Sequence, residues 1–181
     1  MSSTSVSEFM LVVIALALGI ALFAITETIL VPEYSFAAAL QDSKTIASVT
    51  SVTVGPPIQS GNNLVYLAYI YSPEHKGNFS VVIFCVPQTQ LQSLALLTPS
   101  IQGNPTVFLI GQSDTPAKQT TLNNVYDLNS RQLTGTITGF AVPANTPFQF
   151  AVAPPSGDAV VMWVIYTVGS YNFRVAYTFE G

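Results

Sequence analysis

The chain has 181 residues; 49% are hydrophobic and only 8% charged, where a typical soluble domain carries about 25% charged residues. The formal net charge is −4, and the five cations, Lys44, Lys76, Lys118, Arg131 and Arg174, form no cluster along the sequence, which excludes nucleic-acid binding through phosphate contacts and electrostatic docking on anionic lipid. The single cysteine, Cys85, excludes an intrachain disulfide.

The first element is "SVSEFMLVVIALALGIALFAITETILVP", uncharged from Phe9 to Thr26. Ser5-Val6-Ser7-Glu8 has the capping-box spacing, which places the helix N-cap at Ser5 with Glu8 closing the box. A helix from Ser5 to Val31 would be about 40 Å long. That exceeds the roughly 30 Å hydrocarbon core of a bilayer. Pro32 removes a donor and crowds the preceding turn, so a kink is expected there. Helical pattern resumes in "PEYSFAAALQDSK", where Phe36 and Leu40 share a face and Glu33, Gln41 and Asp42 stay wet. Residues 1–44 are therefore expected to form the hydrophobic helix, and 45–181 a separate β head.

A secretory signal needs a positive start and an apolar core of about 7–15 residues. No Lys or Arg precedes Lys44, and the apolar run is longer, so the segment reads as retained. As a single anchor its length is adequate, with Glu27 and Glu33 marking one interface. The small residues favour more than an anchor. Ala17, Ala21, Ala24 and Thr28 follow one stripe, and Ala15 and Gly19 form a second pair four apart. Small residues on a stripe let helices approach closely, and Phe9, Leu11, Leu16, Ile20 and Phe23 supply larger knobs. The segment is thus expected to pack on other helices.

After Lys44 the period changes to two. "TIASVTSVTV", "NLVYLAYIYS", "NFSVVIFCV", "PTVFLIG", "QLTGTITGFAV", "PFQFAVA", "AVVMWVIYTV" and "YNFRVAYTF" are rich in β-branched and aromatic residues. Turn signals separate them, among them "SGNN" at 60–63 and "PPSGD" at 154–158. The expected class is α+β in total: a long N-terminal hydrophobic helix, then an all-β, immunoglobulin-like antiparallel sandwich. "TQLQSLALLTPS" at 89–100 is open between strand and short helix.

Chemistry is sparse. One histidine, His75, falls in a predicted turn, and one His with one Cys cannot build a zinc centre. Nucleophile-elbow and phosphate-loop motifs are missing, so neither catalysis nor a cofactor is expected. Cys85 and Trp163 read as core, and the tyrosines as alternating between core and an outer face suited to neighbouring copies. Asn78-Phe79-Ser80 is a sequon, making Asn78 the candidate N-glycosylation site.

With its polar Ser/Glu start, its long apolar helix and a β-rich remainder, the chain resembles archaeal type IV pilins and related archaellum-type filament subunits. Glu8 is the nearest equivalent of the family's glutamate near the mature N-terminus. It stands eighth here, and fifth only if processing leaves Thr4 first. The resemblance implies a membrane-inserted precursor that polymerises through its helix into an extracellular homopolymer, heads outward and open to glycans, serving surface adhesion. A second expectation is a membrane-anchored accessory protein, like the β-sandwich stator subunits of the archaellum motor. A third is a membrane-tethered carbohydrate-binding or enzymatic domain.

Overall fold

The computed structural model describes residues 3–93, 98–99, 103–111 and 115–180, and for 3–5 the backbone alone. The chain divides into two compact units, Met1–Ala38 and Ala39–Gly181, so the division falls earlier than the 44/45 boundary read from the sequence.

Helix α1 spans Ser3–Ile25. Ser5 is therefore already inside the helix and is not its N-cap. Ser2, Ser3, Thr4 and Ser5 are four hydroxyl residues in a row, and the capping-box spacing could not choose among equivalent caps. A π-helical turn follows at Thr26–Leu30, in which the Val31 N–H donates to the Thr26 carbonyl. Helix α2 then runs Val31–Val49. The irregularity expected at Pro32 is thus displaced to 26–30. Proline offers no N–H to the Thr28 carbonyl and crowds it, and a π turn absorbs that conflict without ending the helix.

The end of α2 belongs to the head. Ala39, Ser43 and Ile46 are buried on one face, and Ile46 enters the main core cluster. Residues 45–49, read as the start of a strand, are helical, because burying Ile46 in register with Ala39 outweighs the weak β preference of Thr, Ile and Val.

Ten strands follow: β1 Ser51–Val54, β2 Ile58–Ser60, β3 Asn63–Tyr71, β4 Asn78–Pro87, β5 Thr106–Leu109, β6 Gln119–Tyr126, β7 Gln132–Pro143, β8 Phe148–Val152, β9 Asp158–Val168 and β10 Tyr171–Glu180. Strands β2 and β6 had no counterpart in the sequence reading. The open segment 89–100 contributes a 3₁₀ helix at Gln88–Ser93; residues 94–97 and 100 lie outside the described set. Gly61 (φ 63°) and Gly169 (φ 59°) take the left-handed positions of two-residue hairpin turns joining β2 to β3 and β9 to β10.

The strands do not form the expected immunoglobulin-like sandwich. One sheet has the order β1-β3-β8-β5, with β2 also on β3, and the other closes as a five-stranded barrel, β10-β6-β7-β4-β9. The barrel closes through a parallel pairing of β10 with β6, at Asn172↔Val125 and Phe173↔Tyr126. Strands β4 and β9 explain why a simple sandwich fails. Both are buried almost end to end. Val82, Phe84, Val161 and Trp163 fill the barrel, while Val81, Ile83, Val160 and Met162 face the other way into the core shared with the open sheet and Ile46. A two-layer sandwich buries only one face of each strand, whereas these two need cover on both.

Candidate functional site

The apolar helix is the first candidate. From Val6 to Ser35 every residue is exposed, including Phe9, Leu11, Leu16, Ile20 and Phe23. Val6–Val49 is long and apolar enough to cross a membrane. Polar atoms inside the segment are turned inward: the Thr26 hydroxyl donates to Leu22 O (2.9 Å) and that of Thr28 to Ala24 O (2.6 Å). Glu8 and Glu27 are exposed.

Val12, Ala15, Leu16, Gly19, Ile20 and Phe23 line a shallow groove. Its floor is Ala15 and Gly19, and a Cβ added at Gly19 would meet nothing within 4 Å. At about 100° per residue, Ala17, Ala21 and Ala24 lie on nearly the opposite side of the helix. The two small-residue sets are thus two faces, and Phe9, Leu16, Ile20 and Phe23 lie together on the flank between them. Thr28, placed last on the alanine stripe, falls in the π turn, where that spacing no longer holds.

In the head, Trp163 is fully buried and meets Phe84 edge-on at 5.3 Å. Cys85 is buried and unpaired with another cysteine. Asn78 opens β4 and is exposed, at the rim of the barrel beside Pro143. His75 is half-buried, not a plain surface turn. Its ring packs on Phe79 (4.7 Å) and meets the edge of Tyr166 (5.1 Å). The Tyr166 hydroxyl in turn donates to Asp42 of α2 at 2.8 Å. Burial, reinforced by that bond, pushes Tyr166 up to about 12. The outer face of β3 carries Leu67, Tyr69 and Tyr71, the tyrosines stacked at 6.5 Å. Among the described residues, no three His, Cys, Asp or Glu side chains converge as metal ligands would.

One constellation is invisible along the sequence. Arg131 and Arg174, read as scattered cations, line the same cleft with Asp127 and Tyr177. Closure of β10 onto β6 carries Arg174 to the turn after Tyr126, and no local pattern announces a parallel pairing between segments so far apart.

No family model, no curated protein and no solved structure matches the chain.

Proposed function

We propose that the chain is a structural subunit of an extracellular helical filament, inserted in the membrane before assembly and polymerising with identical subunits through its N-terminal helix. The observation that carries this reading is the unbroken exposure of apolar side chains from Val6 to Leu30. Water does not tolerate so large an apolar surface, and lipid or neighbouring helices must cover it. Two opposite faces of small residues favour neighbours on both sides, as in a bundle, over a solitary anchor in lipid. The head would then face outward, with exposed Asn78 as the glycan site, and the filament would serve surface attachment.

A single apolar helix of this length also suits a membrane-anchored accessory protein. Negative-stain microscopy of sheared surface appendages, with mass spectrometry of their main band, separates the two. The filament reading expects this chain as the principal band. Its confinement to the membrane fraction, with filaments free of it, would favour the anchored form.

A further inference from the structure

We propose that the cleft between β5 and the outer face of β6 and β7 binds a neutral sugar residue. This site is independent of how the helix assembles.

Strand β5 ends the open sheet, while β6 and β7 are neighbours in the barrel. Between them lies a cleft of about 360 Å³. That is near the lower end of small-ligand sites, about 300–1,000 Å³, and suits one sugar ring better than a long chain. Its floor is Ile83 and Phe140, 2% and 7% exposed. Both are packed into the main core cluster, so the floor is rigid. It offers apolar and aromatic surface to the C–H face of a ring.

The polar lining is Asn104, Thr106, Gln119 and Thr138. Each of these side chains is neutral, and each can both donate and accept hydrogen bonds. None of the four bonds another side chain or backbone group among the described residues, so their capacity is left for a ligand. Sugar hydroxyls also donate and accept, and match such a lining group for group. A charged ligand would find no opposite charge here. A wholly apolar one would take water from four polar groups and replace none of its bonds.

The backbone at Asn104 is a second, independent observation. Gly103 and Asn104 take consecutive left-handed positions, φ 90° and 42°. The Gly103 carbonyl accepts the Ala153 N–H at 3.1 Å, and a β-carbon at Gly103 would come within 2.8 Å of Ala153 O. The chain is thus pressed against the end of β8 just before the cleft. Asn145 and Asn124 are left-handed too, and both side chains are bonded within the fold. Asn104 takes the same strained conformation with its amide unbonded, turned to the cleft it lines. Strain of this kind is kept where it positions a group for a ligand.

Full-length protein in a sugar-free zwitterionic detergent is applied to an array of neutral, uronic and sialylated glycans, and the strongest neutral binder is titrated by calorimetry. Neutral glycans should be retained in preference to acidic ones, with an affinity that salt leaves unchanged. Asn104→Gly keeps the left-handed backbone and removes the amide; Thr138→Val keeps the shape and removes the hydroxyl. Each should weaken binding about fivefold or more, while the thermal midpoint of Asn104→Gly stays at or above the parent's. No neutral glycan bound, acidic glycans bound better, or an affinity indifferent to either substitution would overturn the proposal.

Discussion

Asn145 sits at a left-handed backbone position, φ 60°, and its side chain ties two loops together. Its Oδ1 accepts the Ser72 N–H at 2.9 Å, and its Nδ2 donates to Ser72 O (2.9 Å) and His75 O (3.3 Å). An alanine would lose the bonds and keep the strained φ; a glycine would lose the bonds alone. A left-handed position costs a β-carbon residue about 1–2 kcal/mol, and each bond contributes about 1 kcal/mol net. Asn145→Ala should therefore destabilise the head by about 3 kcal/mol, and Asn145→Gly by about 1–2 kcal/mol less than that. Urea unfolding followed by Trp163 fluorescence checks the order, and equal losses would remove the strain component. Two other residues contribute to the loss of stability in alkali. Burial, with Asp158 nearby, pushes the Cys85 thiol from 9.0 up to about 11, and Tyr166 moves from 10.0 up to about 12. In each case the unfolded chain releases its proton first, so the folded state binds more protons within the window. The stability contributed is complete below the unfolded value and is lost as pH rises, from 9 to 11 for Cys85 and from 10 to 12 for Tyr166. Cys85→Ala should flatten the first part of the alkaline decline in urea midpoint, and Tyr166→Phe the second. Parallel declines in both variants and the parent would rule the assignment out. The core roles of Trp163 and Cys85 were legible, because a lone apolar-flanked residue of either type belongs inside. Asn145 was not, since its partners come from a loop distant in sequence.

Among the elements, β4 and β9 were readable as strands, and their meaning was present but missed. "SVVIFCV" and "AVVMWVIY" do not alternate, and an uninterrupted apolar strand signals burial on both faces. The barrel follows from that demand, whereas the immunoglobulin-like expectation came from strand number and spacing alone. The consequence is measurable within one pair of variants. Phe84 points into the barrel against Trp163, fully buried; Leu67 lies on the outer face of β3, 54% exposed. Phe84→Ala should cost about 3–5 kcal/mol and alter the Trp163 emission of the folded state, while Leu67→Ala should cost under about 0.5 kcal/mol. The edge formed by β1 and β2 also has a sequence explanation. Both strands pair with β3, and Gly55-Pro56-Pro57 stands between them. Two prolines without N–H groups interrupt what would be a continuous edge and limit its pairing with another chain.

For the whole molecule, the helix was legible because composition alone exposes an uncharged run, and its exposure matches that reading. Its end was not, because Ile46 is drawn into the head by tertiary packing that no local preference reveals. The two small-residue faces lead to the assembly prediction. A helix that meets its neighbours through one face forms a pair; one that must fit between neighbours needs close approach on both. Gly19 floors the groove, and Ala21 lies nearly opposite. Gly19→Leu would fill the groove with an isobutyl group, and Ala21→Leu would raise the other face. Gly19 and Ala21 belong to the N-terminal unit, and the space over Gly19 is open. Both variants should keep the parent's Trp163-reported thermal midpoint and lose filaments under negative stain. Loss in only one variant would identify a single packing face and a paired arrangement. Normal filaments in both would show that close helix contact does not hold the polymer together, and the heads would have to carry assembly through their uncharged outer strands.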